Sequence, residues 1–158
     1  MGIIGIRSTR DMWENNLPRF PRKTAVIDGE VALSYAEANA RIERLRTAFA
    51  TRLGIRQGDN VAVLLPNSLE LYLVYWALVK LGAVVVPVNT RLRPEEMHHI
   101  IGSTEGHVLV VHESFWRTAQ AALPDCPNVE AVVCVGFQEE GARDAGRGTR
   151  EKIGRAHV

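Results

Sequence analysis

Apolar residues recur with helical spacing over residues 35–53. They step by three and four positions, while glutamate and arginine take most of the other positions, which is typical of a helix packed on one side. Ser34 and Glu37 have the spacing of a capping box, in which each side chain bonds to a backbone amide of the other residue. The pattern therefore predicts a long helix that begins after Ser34 and ends before Gly54.

The residues before this helix predict two smaller structures. Residues 11–17 indicate a short helix that ends before Pro18, because proline cannot continue a helix. Residues 24–28 and 31–33 are rich in apolar and β-branched side chains and flank the tight connection at residues 29–30. This arrangement predicts a β-hairpin.

After residue 60, short apolar runs alternate with helical segments. The runs predict strands at 61–65, 83–88, 107–111 and 129–135, and the segments predict helices at 67–81, 94–101 and 114–123. Asn67 is expected to cap the first of these helices, and Gly82 to end it in a left-handed conformation. Alternating strands and helices with short connections predict right-handed βαβ units on a parallel sheet. The predicted fold class is therefore α/β with a parallel lobe, an architecture that many activities share.

Composition and charge exclude several classes of function. The net charge is +1, so there is no electrostatic basis for a nucleic-acid partner. The apolar run at residues 69–79 is too short to be a transmembrane segment, and the N-terminus lacks a signal-peptide core. Cys126 and Cys134 have no further ligands at zinc-finger spacing, so we expect two free thiols and no metal site. A cytoplasmic location is the expectation.

Three stretches stand in a fixed order along the chain. They are Leu-Ser-Tyr-Ala-Glu-Ala at residues 33–38, Gly-Asp-Asn-Val-Ala-Val-Leu-Leu-Pro-Asn-Ser at 58–68, and residues 77–92, which end in Asn-Thr-Arg-Leu. In order and spacing, over about residues 11–135, they resemble the N-terminal region of the acyl-adenylate-forming superfamily of AMP-dependent synthetases and ligases. The Asn-Thr-Arg-Leu ending is more similar to fatty-acyl and aryl CoA ligases than to peptide-synthetase adenylation domains. The resemblance implies that the parallel lobe belongs to the large N-terminal domain of such an enzyme and is incomplete.

The resemblance also implies a two-step reaction, an acid–thiol ligation that forms AMP. A fatty or aryl carboxylate would attack the α-phosphate of ATP to give an acyl-adenylate, and coenzyme A would then displace AMP. Mg²⁺ would support the first step by neutralising phosphate charge. In this family the residues that select the acid mostly follow this segment, and no feature of the sequence indicates an oligomeric state.

The family's catalytic motifs have no counterpart in this chain. The Ser/Thr/Gly-rich phosphate loop ending in Pro-Lys-Gly is absent, since the glycine-dense residues 141–148 contain no Pro-Lys. The adenine-binding aromatic motif, the ribose-binding aspartate and the catalytic lysine would lie beyond residue 158. We therefore expect no catalytic residue here, no stable binding of ATP, coenzyme A or Mg²⁺, and no activity from the chain alone.

Arg91 is the one candidate binding residue that the resemblance supplies. In related CoA ligases the arginine of the Asn-x-Arg-Leu segment lies near the nucleotide phosphates of coenzyme A, and that arginine maps to Arg91, with Arg93 close by. A guanidinium group suits phosphate because its N–H groups form a fixed fork. The alternatives are that Arg91 pairs with Glu95 or Glu96, or faces solvent.

The chain divides into three expected parts. Residues 1–137 are expected to be the N-terminal part of an AMP-binding domain, and residues 138–152, which are charged and lack an apolar period, are expected to be disordered. Residues 153–158 back-translate as ATC GGA AGA GCA CAC GTC, which resembles a sequencing adapter read in frame, so the reading frame would continue in the gene. The alternative for residues 153–158 is a natural tail that happens to match. The alternative for the chain as a whole is a free-standing, non-catalytic α/β module that binds a partner or small ligand. If the chain is a fragment, we expect uncovered strand edges and apolar faces.

Overall fold

Helices and strands alternate through the computed structural model, which describes residues 8–136. The helices are α1 Thr9–Asn16, α2 Tyr35–Arg52, α3 Leu69–Leu81, α4 Pro94–Ser103 and α5 Trp116–Ala122. The strands are β1 Thr24–Asp28, β2 Val31–Ser34, β3 Asn60–Leu64, β4 Val84–Pro87, β5 Val108–His112 and β6 Ala131–Val135. The expected tail at residues 138–152 and the adapter-like residues 153–158 lie outside the described residues.

A parallel sheet of four strands forms the centre of the described structure. Its strand order is β4-β3-β5-β6, and Val61 of β3 pairs with Val85 on one side and with Val108 on the other. Strands β1 and β2 form a separate antiparallel hairpin, joined at residues 29–30. The predicted α/β class, the parallel pairing and the hairpin are all confirmed.

Both faces of the sheet are covered by helices, because alternate side chains of a strand point to opposite faces. Val61 and Val63 pack into one core with α2 and α3, whereas Ala62 and Leu64 pack into a second core with α4 and α5. The continuous apolar run in β3 is thus explained by burial on both sides, as expected for a central parallel strand.

Strand β4 lies at an edge of the sheet. The amides of Val84 and Val88 donate to the carbonyl groups of Asp59, which precedes β3, and of Val63, within β3. Backbone N–H groups alternate in direction along a strand, so the backbone nitrogen of residue 87 points away from β3. A proline, which has no N–H, therefore removes no hydrogen bond between β4 and β3. Pro87 therefore leaves the outer side of β4 with one amide fewer to offer to another strand.

The predicted helix ends are confirmed at two positions and wrong at a third. Ser34 N donates to Glu37 Oε2 at 2.8 Å, which confirms the capping box, and Gly82 has a φ of 77°, which confirms the left-handed stop. The cap of α3 was predicted to be Asn67, and this is wrong. Ser68 is the cap, because its backbone is extended and its hydroxyl accepts a bond from Leu71 N at 3.3 Å.

The predicted helix at 114–123 is also shorter than expected. Its regular part is α5, and single 3₁₀ turns at Glu113–Phe115 and Leu123–Asp125 flank it. Pro124 lies within the second turn, where its ring excludes a continuing α-helix. Among residues 8–136, no helix is both long enough and apolar enough to span a membrane.

Candidate functional site

The carboxyl ends of β3, β4, β5 and β6 lie along one edge of the sheet, because the strands are parallel. We call this the carboxyl edge. Open α/β sheets bind ligands at this edge, at the point where neighbouring strands connect in opposite directions. Strand β3 continues through α3 to β4 on one side, and β5 continues through α5 to β6 on the other. The switch point of this sheet therefore lies between β3 and β5.

After β3, two of the first backbone amides of α3 already donate hydrogen bonds to side chains of the protein. The carboxylate of Asp28, in the hairpin, accepts a bond from Leu69 N at 2.7 Å, and Ser68 Oγ accepts one from Leu71 N. A helix start binds phosphate through backbone amides that lack partners. With two of these amides occupied, the start of α3 is poorly suited to bind a phosphate group.

At the end of β5, His112 caps the following 3₁₀ turn. Its Nδ1 accepts a bond from Ser114 N at 3.2 Å and lies 2.9 Å from Ser114 Oγ. Because Nδ1 accepts a bond from a backbone amide, the ring proton of the neutral imidazole is on Nε2. Gly136 lies against this ring, since a Cβ atom there would be 2.9 Å from His112 Nε2. The sequence analysis did not single out His112, although the two-residue spacing from His112 to Ser114 is a local signal that could have indicated the cap.

At the end of β4, Arg91 lies in the turn that leads to α4. Its backbone amide donates to Asn89 Oδ1 at 3.0 Å, and its side chain is exposed. Between residues 8 and 136, no carboxylate comes within 4.0 Å of its guanidinium group, and the Glu96 carboxylate instead accepts a bond from Arg93 N at 3.0 Å. The alternative in which Arg91 pairs with Glu95 or Glu96 is therefore wrong. The contact of Arg91 with coenzyme A stays a prediction.

Arg91 and His112 do not form one cluster. Strand β3 lies between β4 and β5, and neighbouring strands are about 4.8 Å apart, so the ends of β4 and β5 are separated by about 10 Å. Arg91 thus lies at the outer end of the carboxyl edge, one strand away from the switch point. This position suits a contact with a peripheral phosphate better than one with a reacting atom.

The two cysteines are buried free thiols, as predicted. Burial raises the pKa of Cys126, with a smaller contribution from the nearby carboxylate of Asp125, and burial raises the pKa of Cys134 to about 11. Across residues 8–136, no three His, Cys, Asp or Glu side chains are grouped so as to hold a metal ion.

A cleft of about 530 Å³ lies between the hairpin, helix α3 and strand β4. We call it the hairpin cleft. Its lining is mainly apolar and includes Ile27, Leu71, Tyr75, Val85 and Pro87. Tyr72 also lines it, and burial, together with the neighbouring Tyr35, raises the pKa of the Tyr72 phenol to about 12. The sequence analysis missed this cleft, because its walls come from β1, β3, α3 and β4, which are separated along the chain.

These features define an α/β domain whose parallel sheet has a carboxyl edge, with the exposed Arg91 at the outer end of that edge. Residues 13–154 match the family model described as AMP-binding enzyme. The chain therefore belongs to the AMP-binding enzyme family, and the family predicted from the three sequence stretches is confirmed.

Relatives of the chain include CoA ligases. It is 36% identical to the crotonobetaine/carnitine–CoA ligase of Proteus mirabilis over 130 residues, which are 79% of this chain and 25% of that ligase. It is similar to the solved anthranilate CoA ligase AuaEII, in complex with anthranoyl-AMP, with a TM-score of 0.77 and 29% identity over 82% of this chain and 25% of that one. It is also similar to the solved long-chain-fatty-acid–CoA ligase from Archaeoglobus fulgidus, with a TM-score of 0.78 and 26% identity. That match covers 91% of this chain and 30% of that one. The chain thus spans about a quarter of the length of the relatives it matches.

Proposed function

We propose that the chain forms the first parallel lobe of a CoA ligase that activates a carboxylic acid. In the first step, an oxygen of the carboxylate attacks the α-phosphorus of ATP, and pyrophosphate leaves. In the second, the sulfur of coenzyme A attacks the acyl carbon, and AMP leaves with the electron pair of the broken C–O bond. Membership of the AMP-binding enzyme family, with CoA ligases among the relatives, is the observation that carries the proposal.

We propose a fatty or aryl acid as the substrate class. The Asn-Thr-Arg-Leu sequence at residues 89–92 supports this class through its resemblance to fatty-acyl and aryl CoA ligases. The solved neighbours are named for anthranilate and for long-chain fatty acids, whereas the Proteus relative is named for crotonobetaine and carnitine. Since one region is similar to ligases for such different acids, we infer that residues outside it select the acid.

The chain alone is proposed to contribute scaffold and not chemistry. The start of α3 is closed by Asp28 and Ser68, and the described residues hold no metal ligand set. A site that stabilises a reacting phosphate needs donors or cations aimed at the charge that develops. The described part of the carboxyl edge offers the exposed guanidinium groups of Arg91 and Arg93, which follow β4 and lie one strand away from the switch point.

Acid-dependent formation of AMP tests the proposal. The 158-residue chain is compared with a protein in which the reading frame is extended into the downstream gene sequence, using fatty acids, aryl acids and carnitine as substrates. We expect AMP and acyl-CoA from the extended protein with a fatty or aryl acid, and none from the chain alone. Thioester formation by the chain alone would contradict the scaffold role. Absence of AMP from a folded extended protein with every acid would contradict the ligase assignment.

We propose that Arg91 contacts a nucleotide phosphate of coenzyme A in the complete enzyme. Losing one charge-assisted hydrogen bond costs about 1.5 kcal/mol or more, so Arg91→Ala should raise the KM for coenzyme A about tenfold. The KM for ATP should not change, and dephospho-coenzyme A identifies whether the 3′-phosphate is the group bound. Arg93→Ala is the matched control, because it removes an equal charge two residues away. An equal loss in both variants would indicate general electrostatic attraction and not a specific contact.

A further inference from the structure

The turn between β4 and α4 presents the Arg91 side chain to solvent. Residues 89–92 form a β-turn, in which Leu92 N donates to the carbonyl of Asn89 at 3.3 Å. Both ends of the turn are anchored, because Val88 is buried and Leu92 packs against the same core under α4 and α5. The position of Arg91, the third residue of the turn, is therefore fixed relative to the sheet.

The side chain of Asn89 adds a second bond to this turn. Its Oδ1 accepts a bond from Arg91 N at 3.0 Å, an arrangement in which the carboxamide imitates a backbone turn. The guanidinium group of Arg91, in contrast, has no carboxylate within 4.0 Å among residues 8–136. The backbone of Arg91 is thus restrained by Asn89, while its charged group is available to a ligand.

Restraint of the backbone matters for an arginine that binds an anion. Ordering a side chain with many rotamers opposes binding, and a loose backbone beneath it adds freedom that must also be lost. A guanidinium–phosphate contact is directional as well, because the N–H groups form a fixed fork. Such a contact is therefore weakened when the backbone that carries the arginine can rotate.

We propose that Asn89 is a positioning residue for coenzyme A, because its side chain holds the Arg91 backbone in the conformation that presents the guanidinium group to a nucleotide phosphate. The inference rests on the proposed contact of Arg91 with coenzyme A and adds the residue that orients this arginine. Asn89 acts through Arg91 and does not itself contact the phosphate. Removing Asn89 should therefore have no effect once Arg91 is gone.

A double-mutant cycle in the extended protein tests the proposal. Asn89→Ala should raise the KM for coenzyme A about threefold to tenfold, because Arg91 must then be ordered on binding without the second bond of the turn. The KM values for ATP and for the acid should not change. In an Arg91→Ala background, Asn89→Ala should change the KM for coenzyme A by less than about twofold.

Asn89→Ser and Thr90→Ala are the controls. A serine hydroxyl can accept the same backbone bond, although more weakly, so Asn89→Ser should raise the KM for coenzyme A less than Asn89→Ala does. Thr90 lies in the same turn, but its side chain forms neither of the bonds that hold the turn. Thr90→Ala should therefore change this KM by less than about twofold.

The outcomes distinguish failure of the positioning role from failure of the Arg91 contact. If Arg91→Ala leaves the KM for coenzyme A unchanged, the contact is wrong and the role of Asn89 is wrong with it. If Arg91→Ala raises this KM but Asn89→Ala does not, the positioning role alone is overturned. Multiplied losses in the double variant would also overturn it, because Asn89 would then act independently of Arg91.

Amide hydrogen exchange of the 158-residue chain provides a measurement that needs no turnover. The Arg91 amide should exchange at least about threefold faster in Asn89→Ala than in the unmodified chain, while the amides of β4 and α4 keep their rates. Equal exchange of the Arg91 amide in the two proteins would overturn the proposal, since Asn89 would not restrain the turn. Faster exchange throughout β4 and α4 would also overturn it, because Asn89 would then support the fold in general.

Discussion

Lys80 Nζ lies 2.5 Å from Glu43 Oε1, although only 7% of the Lys80 side chain is exposed. The same ammonium group lies 2.9 Å from Glu14 Oε1 and donates to Asn39 Oδ1 at 2.9 Å. Each of its three N–H bonds therefore has an acceptor, as a buried cation requires. Asn39 Oδ1 also accepts a bond from Trp13 Nε1 at 2.9 Å. This polar group, the Lys80 cluster, joins helices α1, α2 and α3.

Replacing Lys80 with methionine should destabilise the chain. The substitution keeps most of the aliphatic stem but leaves Glu43 and Asn39 without their cationic partner. Removing one partner from a largely buried charge network costs about 1 to 3 kcal/mol when the remaining groups retain some solvent, and we expect this decrease in the free energy of unfolding. Urea denaturation monitored by tryptophan fluorescence measures it.

Arg46→Met is the matched control for Lys80→Met. Arg46 also bonds to Glu43, at 2.7 Å, but its side chain is 37% exposed. Ion pairs in contact with solvent contribute at most about 1 kcal/mol. If the two variants lost equal stability, burial of Lys80 would not be the reason for its contribution.

The stability of the chain should fall in acid partly through Glu43. Burial acts to raise the pKa of Glu43, but hydrogen bonds and charges from Lys80 and Arg46 outweigh it and lower the pKa below the ordinary value of 4.5. A carboxyl group with a lowered folded pKa stabilises the fold above the unfolded pKa, and this contribution is lost as the pH falls through the folded pKa. Stability should therefore decrease below about pH 4.5.

Glu43→Gln isolates this contribution from that of other carboxylates. Glu37 also has a lowered pKa, because the hydroxyl and amide of Ser34 bond to it. The measurement is the urea midpoint between pH 3 and pH 6 for the unmodified chain and for the variant. We expect the two curves to converge as the pH falls, and parallel curves would exclude a role for Glu43.

The fold could be predicted because its main features are local in sequence. The run of buried residues in β3, the capping box at Ser34 and Glu37, and the left-handed Gly82 each leave a pattern within a few residues. The cap of α3 could not be resolved, because Asn67 and Ser68 are adjacent and both residue types are good caps. The choice depends on which backbone is extended, and that follows from how β3 ends.

The candidate site was less predictable because its contacts connect distant residues. Asp28 closes the start of α3 from 41 positions away, and Asn39 bonds to Lys80 across the same separation. Contacts between residues so far apart leave no periodic pattern in the sequence. Arg91 could be named only through the family resemblance, and the structure adds that it is exposed and has no carboxylate partner among the described residues.

Gly106, in the connection between α4 and β5, should be among the least replaceable residues of the chain. A Cβ atom at this position would lie 2.2 Å from the carbonyl oxygen of Asn60, at the start of β3. Backbone atoms cannot move aside as a flexible side chain can, so Gly106→Ala should lower the free energy of unfolding by about 2 to 3 kcal/mol. Gly102→Ala is the control, because its Cβ would meet nothing closer than 3.9 Å. Since Gly102 lies within α4, alanine there should raise stability by up to about 1 kcal/mol in the same denaturation assay.

Cys134 and Cys126 should resist modification while the chain is folded. At pH 8 a thiol with a pKa of about 11 is ionised in about one molecule in a thousand, and the thiolate is the form that reacts. The Cys126 thiol is buried and donates to the carbonyl of Ala122 at 3.4 Å, which disfavours ionisation further. We expect slow reaction with a chromogenic disulfide reagent in buffer and complete reaction of both thiols within minutes in guanidinium chloride. A Cys126→Ser variant assigns the residual native rate to one thiol. Fast native reaction that persists in this variant would show that β6, which holds Cys134, is exposed to solvent at the edge of the sheet.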